Sequence, residues 1–232
     1  MSKIDVVIGY LRAVDLFRDF ETGVLEAIAA GAQERRFAAG QTIFLRGDRG
    51  DAMFIVTEGR VRLSVVSAEG RELTVRHAER GSIFGEIALL DGGSRTLDAT
   101  ALQPTSLLAV SQGSFRRVID DNPAVRDALM RGLCTRLRGT TDQLEAIALM
   151  PLEARLARLF LQFCKGAELS GGRVQVPLDI SQSELASLIG ASRPKVNQVL
   201  SAWHSSKVAV HSANAFTIDL PALKRIALIE EE

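Results

Sequence analysis

Short apolar runs separated by glycines dominate the first half of the chain. Gln41-Thr-Ile-Phe-Leu45, Ala52-Met-Phe-Ile-Val56, Arg60-Val-Arg-Leu-Ser-Val-Val66, Glu72-Leu-Thr-Val-Arg-His77 and Ser106-Leu-Leu-Ala-Val110 read as strands. Gly40, Gly47, Gly50, Gly59, Gly70 and Gly81 fall between them about every ten residues, the rhythm of short antiparallel strands joined by turns. A β-sandwich or barrel is expected over residues 33–111.

The pattern changes at residue 115. Asn122-Pro123 is a helix start, with Asn as a cap and proline in the first turn, and Pro151 is the stop. Between them Met130, Leu133, Leu137, Thr140, Leu144 and Ile147 recur at spacings of three, four, three, four and three. This is the seam of two helices packed along one face, and it predicts self-association. From Leu152 the period is helical again, interrupted by a turn at Ser170-Gly-Gly-Arg173 and strand-like pieces at Val174-Gln-Val176 and Phe216-Thr-Ile218. The expected fold class is α+β, with a β-sheet sensor domain over 1–120, a dimerisation helix over 121–150 and a second domain over 151–232.

Composition narrows the function classes. The 232 residues carry 28 Lys and Arg against 28 Asp and Glu and are 47% hydrophobic, which suits a globular chain and excludes disorder throughout. The most apolar stretch, 99–115, is broken by Gln103, Pro104, Ser106, Ser111 and Gln112, so no membrane span is expected. The N-terminus has an acid at Asp5 and lacks a signal peptide's apolar core, so a cytoplasmic location is expected. Cys134 and Cys164 form no Cys-x-x-Cys, which argues against a disulfide framework, a metal site or an iron–sulfur cluster. Neutrality overall hides a basic second domain. From Leu152 to Ile229 there are nine Lys and Arg against five Asp and Glu, a net +4 masked by Glu230-Glu-Glu232. His77, His204 and His211 lie in no nucleophile–base arrangement, so no enzymatic activity is expected.

The chemistry concentrates in Gly85-Glu-Ile-Ala-Leu-Leu-Asp-Gly-Gly-Ser-Arg95-Thr96. Gly85 allows close backbone approach, the amides of Ile87 and Ala88 open a short helix and can bind an anion, and Arg95 can grip phosphate oxygens bidentately. Glu86 suits an anion site only as the acceptor of a hydroxyl on the sugar that carries the phosphate. Phosphate plus ribose means a nucleotide, yet neither a Gly-x-x-x-x-Gly-Lys-Ser/Thr loop nor Gly-x-Gly-x-x-Gly is present.

A second constellation runs from Ile180 to Leu200 and divides into two helices at Gly190. Ser181 and Glu184 form a capping box, Gly190 ends the first helix and Ser192 caps the second. Val196, Val199, Leu200 and Trp203 face inward on helical spacing, which leaves Arg193, Lys195, Asn197 and Gln198 outward. This resembles a helix-turn-helix that reads double-stranded DNA. Arg193 is the expected guanine reader and Gln198 an adenine reader, with Ser192, Lys195 and Gln182, beside the capping Ser181, at the phosphates.

Phe84-Gly-Glu-Ile-Ala-Leu89 followed by Arg95-Thr96 resembles the phosphate-binding cassette of cyclic-nucleotide-binding domains. With the helix-turn-helix, the chain resembles the Crp/Fnr family of transcription regulators over nearly its whole length. The resemblance implies a jelly-roll-like β-roll, a long dimerisation helix and a winged helix-turn-helix. It implies a homodimer responsive to cAMP that binds palindromic operators and, as an activator, meets RNA polymerase. By position it places Gly85, Glu86, Arg95 and Thr96 at the cyclic phosphate and ribose, with Val75 and Phe84 as apolar walls. It places Thr140 and Thr141 against the purine, one from each subunit. Threonine at 96 favours the guanine ring in some members of the superfamily, which keeps cGMP beside cAMP; a Crp/Fnr-type regulator with another effector, or one that binds DNA constitutively, is the alternative reading. Val75 stands where the haem-binding branch has a cysteine, and no N-terminal cysteine cluster exists, so neither haem nor an iron–sulfur cluster is expected. Pro194 and Gln198 depart from the best-known members, so the operator sequence is expected to differ.

Overall fold

The computed structural model describes residues 3–14, 17–18, 20–167, 169–177, 180–212 and 215–228. Glu168, Asp179 and the Glu230–Glu232 tail, which entered the charge count above, lie outside them, as do Met1 and Ser2. The chain divides into two units, 1–139 and 140–232. Among the described residues no helix is long and apolar enough to cross a membrane.

In the first unit α1 (Lys3–Arg12) and α2 (Thr22–Ala30) lead into β1 (Ala32–Phe37), β2 (Thr42–Phe44), β3 (Ala52–Glu58), β4 (Arg60–Val66), β5 (Glu72–Glu79) and β6 (Ile83–Phe84). The short helix α3 (Glu86–Asp91) follows, then β7 (Asp98–Ala101), β8 (Thr105–Ser111) and α4 (Gln112–Asp121). The strands form two antiparallel four-stranded sheets, in the orders β1-β8-β3-β6 and β2-β7-β4-β5. β3 reads as an unbroken apolar run because it is buried on both faces. Ala52, Phe54 and Val56 point between the sheets with Val61, Leu63, Ala78, Phe84, Ala99, Leu107 and Ala109. Met53 and Ile55 point the other way, into a cluster with Leu11, Leu25, Ile28, Phe115 and Val118 from the helices. Each such fully buried large side chain is worth about 1.5–3 kcal/mol.

The helix α5 (Pro123–Leu149) starts at the proline and stops before Pro151, and the unit boundary falls within it. Asn122 does not act as the side-chain cap expected for it. Its amide turns back to the preceding helix and donates to the Val118 carbonyl at 2.9 Å, while its backbone carbonyl accepts from the first turn of α5. Val125 and Leu129 are buried in the first unit's core. Beyond them the seam turns outward: Met130, Leu137 and Leu144 are 59%, 69% and 66% exposed, with Leu133 and Ile147 half-buried.

The second unit holds α6 (Leu152–Phe163), β9 (Leu169–Ser170), β10 (Arg173–Pro177), α7 (Gln182–Leu188), α8 (Arg193–Ser206), β11 (Ala209–Ser212), β12 (Ala215–Asp219) and α9 (Leu220–Ile226). Its antiparallel sheet runs β11-β12-β10-β9. Phe160 organises the core, edge-on to Trp203 and Phe216 at centroid distances of 5.6 and 5.1 Å. The Trp203 indole N–H, which burial would otherwise leave unsatisfied, donates to Glu153 at 2.8 Å.

Candidate functional site

The cassette folds into a cradle around one guanidinium. Gly85 precedes α3 in the left-handed region at φ 76°, and a Cβ there would come within 2.7 Å of Arg95 Nη1, so only glycine fits. The loop that faces it is equally tight, because a Cβ on Gly50 would lie 2.3 Å from that of Ala88. Arg95 is only 4% exposed. It donates through Nη1 to the Gly85 carbonyl and through Nη2 to the Ala52 carbonyl, both at 2.7 Å. Its guanidinium carbon lies 4.3 Å from the centre of the Phe44 ring, a cation–π contact. Burial pushes its pKa down, opposed by Asp51 and Asp48, and the nearer of these pairs is long, 4.0 Å to a carboxylate that is 83% exposed.

Glu86 is buried in the first turn of α3, and one carboxylate oxygen is paired with Arg136 of α5. The other oxygen, Oε2, is buried with no hydrogen-bond partner, and so is Nε of Arg95. A buried acceptor and a buried donor left without partners are costly. Arg95 bonds the carbonyl of Gly85, the residue next to Glu86, so both atoms belong to this cassette, and their demand matches a ligand that brings one hydroxyl and one anionic oxygen.

Of the other cassette residues, Ala88 is buried, Ile87 and Thr96 are exposed, and Val75 is half-buried on β5. Phe84 is fully buried rather than lining the surface. Its ring stacks on Phe54 at 5.3 Å and meets Phe44 at 5.9 Å, so it supports the aromatic layer under Arg95. Thr140 and Thr141 are exposed on α5, and Thr140 follows Arg136 by one helical turn.

Sequence reasoning missed Phe44, Arg136 and Arg76. Arg76 donates from β5 to the Ile83 carbonyl at 2.6 Å, and Arg136 reaches the same oxygen at 3.4 Å. Burial holds the Arg76 guanidinium down at about 10; Arg136 is held at about 10 by burial and then by Arg76 beside it. On the next residue of β5, His77 is held at about 4 by burial and by Arg60 and Arg62, so it is neutral at ordinary pH.

The second constellation is built on the surface. Ser181 caps α7 by accepting from the Glu184 amide at 3.1 Å, and Gly190 ends that helix at φ 63°. α8 starts at Arg193 as expected, but Ser192 makes no side-chain cap bond; Pro194 in the first turn has removed one N–H that such a cap would use. Val196 and Trp203 are buried and Val199 and Leu200 half-buried, leaving Arg193, Lys195, Asn197 and Gln198 exposed in a row. Gln182 of α7 donates to Asn197 of α8 at 3.1 Å, tying the two helices. The β11–β12 hairpin follows α8 as a wing.

Comparison with known proteins agrees with both halves. The cyclic nucleotide-binding domain family matches residues 34–122, and the Crp-like helix-turn-helix domain family matches residues 154–226. The chain is similar to the CRP-like cAMP-activated global transcriptional regulator of Mycobacterium tuberculosis, 29% identical over 94% of this chain and 98% of that one. It is similar to the cyclic AMP receptor protein of Thermus thermophilus, 33% identical over 73% of this chain and 76% of that one. Among solved structures, a CRP/FNR-family transcriptional regulator from Thermus thermophilus superposes with a TM-score of 0.67 at 27% identity, over 84% of this chain and 98% of the other. A cradle of this kind in one unit and a Crp-like helix-turn-helix in the other belong together in one lineage, and this chain is a member of the Crp/Fnr family of cyclic-nucleotide-binding, DNA-binding transcription regulators.

Proposed function

We propose that the chain is a cAMP-responsive homodimer that binds palindromic operators in the cytoplasm. The observation that carries this reading is the pair of unsatisfied buried atoms in the cradle, Glu86 Oε2 and Arg95 Nε. A ribose hydroxyl donates to the first and a cyclic phosphate oxygen accepts from the second, while the opening amides of α3, at Ile87 and Ala88, face the anion. Regulation by cAMP in the relatives named above supports cAMP as the effector. Thr140 and Thr141 enter as purine contacts from the resemblance alone, one from each subunit. Thr96 enters on the same ground, and Val75 as an apolar wall.

The exposed seam of α5 supports a second copy of this chain as its cover. Apolar side chains at Met130, Leu133, Leu137, Leu144 and Ile147 form the narrow stripe of a two-stranded coiled coil, with Thr140 the polar position in it. Ligand seated across such a seam favours one helix register, and so one spacing of the two recognition helices. Arg193 reads a base, Gln198 a second and Asn197 lies between them, with Ser181, Gln182, Ser192 and Lys195 toward the phosphates. Where operators lie upstream of a promoter, RNA polymerase is the further partner.

The test is DNA affinity measured with and without cAMP on operators selected from a random pool. Tenfold or more tighter binding with cAMP is expected, on sites with two half-sites about one helical turn apart. Equal affinity with and without cAMP would refute ligand gating.

A further inference from the structure

We propose that Gln182 sets the base preference of α8 by holding the side-chain amide of Asn197, so that Asn197 selects the keto edge of a guanine or thymine and rejects the amino edge of an adenine or cytosine. This rests on α8 reading the major groove, as proposed above, and gives the pair a specificity-determining role there.

The pair spans the turn between the two helices. Gln182 is the first residue of α7, half-buried beside its cap Ser181, and Asn197 stands on α8 in the exposed row that begins at Arg193. Gln182 Nε2 donates to Asn197 Oδ1 at 3.1 Å. The helices do not need this bond to stay together. Leu185 and Ala186 of α7 already pack with Val196 and Trp203 of α8 in one buried cluster, to which a single hydrogen bond between solvent-facing neutral amides adds little. What the bond does fix is the direction of an amide whose last torsion is otherwise broad.

An asparagine amide carries an acceptor on one side of its carbon and a pair of donors on the other. When it can turn, it meets adenine with both, its oxygen on the N6 amino group and its nitrogen on N7. Here the oxygen is turned toward α7 and has the Gln182 amide against it. The Nδ2 amino group is left to face the groove. A donor alone suits O6 of guanine or O4 of thymine, whereas adenine and cytosine put an amino group of their own at that edge, donor against donor.

The same bond joins base reading to backbone seating. Gln182 Nε2 carries a second N–H, which stays available for the phosphate assigned to this residue above. DNA that seats its backbone on Gln182 therefore finds Asn197 already oriented, and no ordering of that side chain has to be supplied on binding.

The experiment is selection of operators from a random pool with the full chain, followed by affinity measurements with each of the four bases at every position for the wild type, Asn197→Ala, Gln182→Ala and Gln182→Met, the last of which keeps the stem and loses the donor. The position whose preference Asn197→Ala removes is the one that Asn197 reads. There the wild-type protein should favour guanine or thymine over adenine and cytosine by about fivefold, the worth of one hydrogen bond. Both Gln182 variants should abolish that preference and bring adenine at least to parity, while the base pair read by Arg193 keeps its own. A wild-type preference for adenine or cytosine at this position overturns the proposal, because the oxygen would then face the groove. A keto preference that survives both Gln182 variants overturns it too, as does an Asn197→Ala variant that alters no position. Preference lost at every position in the Gln182 variants, Arg193's included, would mark damage to the helix pair and equally overturn it. If the wild-type protein selects no sequence at all, the reading of α8 as a base reader falls with it.

Discussion

The cradle and the recognition helix both depend on arginines, but Arg95 is buried and Arg193 is exposed. Arg95 is held by two backbone carbonyls from segments 43 and 10 residues away in sequence and by an aromatic ring beneath it. It is part of the fold as well as the site. Arg193 is presented by a helix whose other face, at Val196 and Trp203, does the packing. Its side chain is exposed and solvated. A site meant to enclose a small anion is thus built at the expense of the core, and a site meant to search a long polyanion is laid over a finished core. The two should respond to mutation in opposite ways.

The largest effect is expected at Arg95. Arg95→Gln takes the charged donors from two carbonyls in the β-roll, and the loss should come to about 3 kcal/mol of unfolding free energy in the first unit. Affinity for cAMP should fall by about a hundredfold or more, because the charged fork for the phosphate is gone. Urea unfolding and calorimetry read the two separately. A variant as stable as the wild type would break the claim that this guanidinium belongs to the core.

The same contrast governs what the sequence reveals. Recognition-helix residues are legible because the helical period alone sorts Val196, Val199, Leu200 and Trp203 from Arg193, Lys195, Asn197 and Gln198, and no distant residue alters that. The cassette was legible as a motif, and the structure brings its two ends together, with the Arg95 guanidinium on the Gly85 carbonyl. Their supports were not. Phe44 looks like any apolar strand residue, and Arg136 looks like a surface arginine between Leu133 and Leu137 until tertiary contact brings it to Glu86, 50 residues away. A signal for Arg136 was present, one helical turn before Thr140. Strands show the same division. β3, β4, β5 and β8 stand out by apolar content, whereas β1 (Ala-Gln-Glu-Arg-Arg-Phe) has four exposed residues in a row and β7 (Asp-Ala-Thr-Ala) has only small ones. They are strands because β8 and β4 offer them an edge, which no local pattern records.

At Arg193 the expected effect is smaller and confined to DNA. Arg193→Ala should leave unfolding within about 0.5 kcal/mol of wild type, since the side chain is exposed and the packing of α8 lies on its other face. Binding to the selected operator should weaken by about 1–3 kcal/mol, with preference relaxed at one base pair. Loss of equal size on every sequence would assign Arg193 to the backbone instead.

Lys195 sharpens the comparison from within the exposed face. It projects from the same helix as Arg193, two residues on, and is likewise exposed. If position on α8 alone decided the role, both would read bases; the chemistry separates them, because an ammonium is a point charge that any phosphate satisfies, whereas a guanidinium fork matches the two acceptors of guanine. Lys195→Ala should therefore weaken binding to operator and random DNA alike, and the slope of log affinity against log salt concentration should become shallower by about one. Stability should not change, and affinity for cAMP, measured in the same salt series, should be unaffected by the substitution. A loss confined to the operator would move Lys195 from the phosphates to a base edge and give α8 two reading positions in its first turn.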